Sequence, residues 1–282
     1  MSNQADATSH RSLDANHRYV LDWATREVAD SPNPRVLDFG CGSGEVVLAG
    51  RAQGLEVYGA EVFYAGGDVR PRIQELGLLG NVVREIRDGR LDFADSFFDL
   101  VLANQVFEHV DDFEPVLDEI HRVLKPGGSL LALFPSKEVL REGHIGIPLV
   151  HRLPAGRGRR SYTVAMRRLG LGYNKADKSP SVWADDALAW LDEYTTYRTK
   201  RAALAPFLRR FRVSLREDDF LRFRLRMVPG LAPLAFLLRT SVGTLGARVV
   251  VQRGMGMVIE ARKPSVDAGY DDGPRGDTGR PG

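Results

Sequence analysis

The residues of this chain best suited to chemistry lie in Val36-Leu-Asp-Phe-Gly-Cys-Gly-Ser-Gly-Glu45. Val36, Leu37 and Phe39 read as an apolar strand, and Glu45 opens a helix. Between them, Gly40, Gly42 and Gly44 allow a tight turn that brings the backbone close against a bound group. A strand, a glycine turn and a helix start in this order form a nucleotide cradle, and the charges around the turn select the guest.

A dinucleotide fingerprint spaces its glycines G-x-G-x-x-G and seats a pyrophosphate on the helix N-terminus. Here the third glycine comes one residue early, and the carboxylates Asp38 and Glu45 flank the place where two phosphates would sit. S-adenosylmethionine has no phosphate and carries an ammonium and a sulfonium, so carboxylates suit it. Taken alone, the loop also allows a plainer reading, with Asp38 as a strand-end residue and Glu45 as a favourable first-turn charge.

The downstream order supports the cradle. A helical stretch over 45–53 precedes an apolar strand over 55–61 that ends in Glu61, 17 residues past Gly44. A carboxylate at such a strand end can accept both ribose hydroxyls. Asp88, with Gly89 beside it, precedes a strand over 98–103 and could accept from an adenine amino group. Asn104 and Gln105 follow that strand. A helix then runs to Leu124, and Lys125-Pro-Gly-Gly128 leads into a strand over 129–134.

With these segments in order, the chain resembles the class I S-adenosylmethionine-dependent methyltransferases over 34–135, through LDFGCGSG, SFFDLVLANQVFEHVDD and HRVLKPGGSLLALFP. The resemblance implies a Rossmann-like α/β fold: a seven-stranded, mostly parallel sheet with an antiparallel last strand, helices on both faces and a helical insertion after the fifth strand. It implies S-adenosyl-L-methionine as cofactor. Asp38, Gly40, Gly42 and Gly44 would line its methionine end with Cys41 among them, Glu61 the ribose, Asp88 and Gly89 the adenine, and Asn104 and Gln105 the neighbouring strand end. The family more often has a polar residue after the acid, whereas here Val62 or Phe63 would press on the adenine ring.

At 282 residues and 43% hydrophobic, the chain has material for one α/β domain plus an insertion. Its charge is uneven: residues 1–135 carry 12 basic against 22 acidic side chains, and 136–226 carry 20 against 10. The expected organisation is an N-terminal helical segment (1–33), the cofactor core (34–135), a basic helical cap (136–210), closing strands with an apolar helical insertion (211–263) and a disordered tail (264–282). The cap opens as an irregular loop over 143–160, with candidate helices over 162–169, 184–194 and 199–211. Its arginines Arg152, Arg157, Arg159, Arg160, Arg167 and Arg168 could attract an anionic or polar small-molecule or glycan acceptor. Nucleic acid fits less well, because aromatics are not interleaved with the basic residues.

The apolar stretch 227–247 is broken by Pro229, Gly230, Pro233, Gly243 and Gly246, too often for a simple membrane span. It reads as a packed helical segment before the closing strand near 255–262, or as a peripheral membrane contact through 222–247. The single cysteine and the polar N-terminus, which lacks a signal-like apolar run, point to the cytoplasm. If the acceptor is a hydroxyl, something must take its proton, and His109, His144 and His151 are the candidate bases. No H-E-x-x-H or C-x-x-C spacing occurs, so no metal is expected. The favoured activity is O-methylation of a sugar, a glycan intermediate or a specialised metabolite. The alternatives are a methyltransferase acting on RNA or a lipid-linked acceptor, an NAD-dependent oxidoreductase and a noncatalytic cofactor-binding protein.

Overall fold

The computed structural model describes residues 13–265 apart from 65, 66 and 176. The apolar runs that suggested strands form the centre of one seven-stranded sheet, ordered β3-β2-β1-β4-β5-β7-β6. Its strands are β1 (Arg35–Phe39), β2 (Glu56–Glu61), β3 (Val83–Glu85), β4 (Phe98–Asn104), β5 (Leu124–Phe134), β6 (Arg212–Leu215) and β7 (Met257–Arg262). Strand β7 runs antiparallel to both its neighbours, and the other pairings are parallel. Parallel strands are buried on both faces, which explains why β1 and β4 read as continuous apolar runs instead of alternating ones.

Helices cover both faces. On one side α1 (Ala15–Glu27), α2 (Glu45–Ala52) and α3 (Arg70–Glu75) bury Tyr19, Trp23, Val47 and Ile73 against Val36, Val57 and Leu102. On the other, α4 (Phe113–Val123) buries Phe113, Leu117 and Ile120 against Leu37, Val101 and Leu130. Helix α4 starts where Asp112 accepts a hydrogen bond from the Glu114 N–H at 3.0 Å, a side-chain N-cap. Because β2 and β4 lie on opposite sides of β1, the chain reverses its direction of winding there, and a crevice opens at the strand C-termini.

Several boundaries differ from the sequence expectations. Strand β5 begins at Leu124 and takes in Lys125-Pro-Gly-Gly128, the expected lead-in to a strand over 129–134. Its pairing with β4 shifts register between Phe98 and Leu100, and a Cβ on Gly128 would stand 2.8 Å from the Asp99 carbonyl oxygen, so the irregular strand start needs glycine. The loop expected over 143–160 is shorter, because α5 (Arg157–Arg168) already begins inside it. The expected cap divides: α5 and α6 (Pro180–Tyr194) share a separate small core of Val164, Trp183, Leu188 and Leu191. Helix α7 (Lys200–Arg210) instead sends Ala203 and Phe207 into the main core beside Phe107 and Phe134. Phe207 lies parallel to Phe134, 6.3 Å away.

The stretch expected to be helical between the last strands comprises α8 (Glu217–Met227), a 3-10 segment (Ala232–Arg239) and α9 (Ser241–Gly254). It packs less completely than expected: Phe236 is 67% exposed and Val242 82%, with Leu237, Leu245 and Val250 also exposed. Among the described residues no single helix is long and apolar enough to cross a membrane, and the 3-10 segment meets α9 at 116°. Residues 1–12 of the expected N-terminal segment and 266–282 of the expected tail lie outside the described residues.

Candidate active site

At the C-terminal ends of β1, β2 and β4 lies a cavity of about 590 Å³. Its walls include Gly40, Gly42, Glu61, Val62, Asp88, Gly89 and Gln105 from the sequence-derived set, together with His109. The glycine turn is left-handed at each glycine, with φ of 71° at Gly40, 50° at Gly42 and 83° at Gly44. Close approach matters most at Gly40, where a Cβ would stand 2.5 Å from a Val106 methyl. Asp88 and Gln105 also take positive φ, 51° and 57°, as does Phe63 at 55°. Asp88 and Gln105, two non-glycine residues in this sparsely populated conformation, line the cavity, as strained backbone does at functional sites, whereas Phe63 packs on the core.

Glu61 does more than terminate β2. Its Oε2 accepts the Gly42 N–H at 2.7 Å and its Oε1 accepts the Val62 N–H at 2.9 Å. Three more N–H groups of the turn also bond within the protein: Gly40 and Cys41 donate to the Ala60 carbonyl and Gly44 donates to that of Cys41. In the turn expected to bring its backbone close against a bound group, these four N–H groups are therefore taken up by the protein itself. The turn is held shut by β2, and what it presents to the cavity is its carboxylate and its surface.

Four members of the sequence-derived set do not line the cavity. Asp38 is 3% exposed, and burial, with Glu61 and Glu45 nearby, pushes its carboxyl up to about 8. Cys41 turns into the core beneath the loop, where a Cβ on Gly59 would stand 2.7 Å from its sulfur. Gly44 is buried at the N-cap of α2. Asn104 is set back at the end of β4, its Oδ1 buried with no partner among the described residues. Each follows from strand alternation or from the turn's handedness, which place some side chains behind the surface their neighbours form.

The histidines separate. His109 lies in a 3-10 turn (Phe107–His109) directly after β4, and its Nδ1–H donates to the Tyr194 carbonyl at 2.6 Å. Burial draws its pKa below the ordinary histidine value. His144 arrives from the loop after β5, its ring 5.1 Å from that of His109, and it borders a second cavity of about 430 Å³ together with Tyr173, Trp183 and Trp190. The two histidines thus stand where the cavities approach one another. His151 does not join them: it packs on Tyr197 at 4.7 Å between ring centroids and its Nε2 faces the Lys137 carbonyl.

Sequence reasoning missed Tyr64, Glu193 and Tyr194. The last two sit at the end of α6, and the Tyr64 and Tyr194 rings approach to 5.2 Å at the cavity. Nothing in their spacing announces this, because α6 reaches the site only through the fold. The expected basic surface for an anion is also changed. Arg152 donates to the carbonyls of Lys137, Glu138 and Val139. Arg159 pairs with Asp192, and Arg160 with Asp185. These arginines hold the inserted segment together and do not converge on a cavity.

The cavity's electrostatics are one-sided. Glu61, Asp88, Asp111, Glu119 and Glu193 line it, and among the described residues no lysine or arginine does, although Glu119 is paired with Arg122 behind the wall at 2.6 Å. Such a site repels a pyrophosphate and suits a cation. The chain matches the family described as "Methyltransferase domain" over residues 37–132, the strands and loops that build this cavity. Residues 37–132 form a methyltransferase domain.

The chain is also similar to individual methyltransferases. The ubiquinone/menaquinone biosynthesis C-methyltransferase UbiE of Vibrio parahaemolyticus is 31% identical over 118 residues, covering 39% of this chain and 44% of that protein. The methyltransferase GfsG of Streptomyces halstedii is 37% identical over 103 residues, covering 36% of this chain and 37% of that protein. The chain therefore spans less than half the length of these curated relatives. Among solved structures, an S-adenosylmethionine dependent methyltransferase from Mesorhizobium loti overlays 88% of this chain and 100% of its own, at 16% identity and a TM-score of 0.49.

Proposed function

We propose that the chain transfers a methyl group from S-adenosylmethionine to a hydroxyl oxygen of a small polar acceptor such as a sugar, a glycan intermediate or a specialised metabolite. The observation that carries this reading is a cavity with five carboxylates and no lysine or arginine among the described residues, placed beside His109. The cofactor's cationic end fits the acids near the glycine turn, its ribose fits Glu61, and Val62 and Ile86 give the adenine an apolar wall. The acceptor fits the aromatic cavity of Tyr173, Trp183 and Trp190 on the far side of His144.

In the transfer, the acceptor oxygen bonds to the methyl carbon as the carbon–sulfur bond breaks. The bonding pair returns to sulfur, leaving S-adenosylhomocysteine, and the hydroxyl proton leaves through the groups at the junction. The protein's main contribution is alignment, which supplies up to roughly 7–11 kcal/mol. A release assay for S-adenosylhomocysteine across hydroxylated acceptors tests this. His109→Ala is expected to lower kcat by about 10²–10⁴-fold while S-adenosylhomocysteine still raises the melting temperature. Release that His109→Ala leaves unchanged, a product methylated on carbon, or stabilisation by NAD alone would overturn the reading.

Asp38 supplies a pH signature for cofactor binding. In the free protein its carboxyl titrates at about 8, so at pH 7 it is largely protonated. A cation placed nearby favours the carboxylate, so binding at pH 7 should release a proton, and affinity should rise from pH 6 to 8 and flatten above. Calorimetry in buffers of different ionisation enthalpy should show that proton, and Asp38→Asn should abolish it. The sign for folding is opposite: the folded state holds this proton and the unfolded chain does not, so Asp38 subtracts stability as pH rises from about 4 to 8.

A further inference from the structure

Beside the cofactor cavity, three side chains from two separate loops converge. Glu108, His109 and His144 each bring one ligand-type atom within 4.8 Å of the other two. Both carboxylate oxygens of Glu108 are buried and have no hydrogen-bond partner among the described residues, although the residue is 1% exposed. A buried carboxylate without a donor is costly unless something else meets it.

The two imidazoles are oriented alike. The Nδ1 of His109 faces the Tyr194 carbonyl at 2.6 Å, and since a carbonyl can only accept, Nδ1 carries the proton. The Nδ1 of His144 lies 2.8 Å from Glu142 Oε1, so the ionised carboxylate accepts there as well. When either ring is neutral the lone pair is left on Nε2. This is the arrangement found around metal-binding histidines, whose other nitrogen donates to a carboxylate or carbonyl that fixes the ring. Glu142 is itself fully buried and locked by the Tyr197 hydroxyl at 2.5 Å and the backbone N–H groups of His144 and Ile145 at 2.9 and 2.5 Å. Trp190 flanks both rings, at 6.2 Å from His109 and 5.1 Å from His144.

We propose that Glu108, His109 and His144 bind one divalent transition-metal ion, with Glu142 and the Tyr194 carbonyl as positioning groups. Two imidazoles and a carboxylate suit Zn²⁺, Co²⁺ or Fe²⁺ better than the oxygen-seeking Mg²⁺ or Ca²⁺. Ligands about 2.1 Å from a tetrahedral ion stand roughly 3.4 Å apart, so the side chains need draw inward by little more than about 1 Å. Three protein ligands leave a coordination position for an exogenous group, and His109 borders the cofactor cavity. The exogenous ligand assigned is the acceptor hydroxyl oxygen. Bound to the ion it loses its proton to solvent more readily, so with the ion in place His109 would serve the hydroxyl as a ligand instead of as a base, and His109→Ala lowers kcat on either account. That use of the open position rests on the methyl-transfer reading; binding of the ion does not.

The test uses the full chain, stripped with a chelator, dialysed and titrated with Co²⁺ while its visible absorption is recorded. One saturable equivalent, displaced by Zn²⁺, is expected. Glu142→Gln should weaken binding about 10–100-fold, and His144→Ala and Glu108→Gln by at least as much. His121→Ala, outside the cluster, should leave it unchanged. Variants are compared only where S-adenosylhomocysteine still raises their melting temperature. Independently of any variant, pulsed electron paramagnetic resonance on Cu²⁺-loaded protein should detect two imidazole nitrogens. Absence of saturable Co²⁺ absorption, absorption indifferent to both ligand substitutions, or a Cu²⁺ spectrum without imidazole coupling overturns the proposal. Saturable metal binding without any response to S-adenosylhomocysteine would keep the ion and sink the methyl-transfer reading instead.

Discussion

Glu61→Gln is expected to weaken S-adenosylhomocysteine binding by about 100-fold, roughly 2.7 kcal/mol. In the native chain both Glu61 oxygens accept backbone N–H groups, from Gly42 at 2.7 Å and Val62 at 2.9 Å. A glutamine offers one oxygen and turns an N–H₂ toward the second donor, so one bond is replaced by a clash of like dipoles. Hydrogen bonds to charged groups contribute about 1.5–3 kcal/mol each, and on the proposed reading the ribose would lose its carboxylate as well. Calorimetric titration measures the effect directly. Glu45→Gln, with no turn N–H in its hold, should change affinity by less than about threefold, since a half-exposed first-turn charge is worth only about 0.3–1 kcal/mol. A Glu61→Gln protein that remains folded and binds within threefold of the parent would remove Glu61 from the site.

A large loss of stability is expected at Gly256. Its φ is 129°, and a Cβ there would stand 2.2 Å from the Phe134 carbonyl oxygen and 2.5 Å from Pro135 Cα. The atoms met are backbone, so no side chain can swing aside. Relief would require opening the pairing of Phe134 with Met257, the first rung of the β5–β7 ladder. Strained backbone costs about 1–3 kcal/mol, and the overlap adds about as much again, so Gly256→Ala should lose about 4 kcal/mol. At about 2–4 °C per kcal/mol for a chain of this size, the melting temperature should fall by roughly 8–16 °C. Gly254→Ala, two residues earlier at the end of α9 with open space around its Cβ position, is the control and should be neutral or mildly stabilising. Scanning calorimetry separates the two.

These sites also mark where the sequence was legible. The glycine turn, the acid closing β2 and the alternation of strand and helix can be read because each is local: a turn needs glycines at set spacing, and a parallel strand needs a short apolar run. Strands β1, β2, β4 and β5 with the helices α2 and α4 follow from such signals, whereas the antiparallel direction of the last strand comes from the family resemblance and the short β3 and α3 are not read at all. What sequence could not supply is tertiary. Tyr194 reaches the cofactor cavity from the end of α6, and His144 meets Glu108 and His109 from another loop, with no shared spacing to announce it. The same limit applies in reverse to Arg159 and Arg160, which read as free charges because their partners Asp192 and Asp185 lie on a different helix. Cys41 and Asp38 belong to the signature by position, yet the turn's handedness sends one side chain into the core and buries the other.

Cys41 is the chain's single cysteine, it is 6% exposed, and burial raises the pKa of its thiol. A thiol-labelling reagent therefore has one target in the native protein, covered by Gly59 and protonated. Modification must wait for the segment above it to lift away from β2, so the labelling rate counts those excursions one by one. The protein thus carries an intrinsic chemical timer in the core beneath the glycine turn, and any ligand that steadies that turn should slow the reaction without any engineered probe.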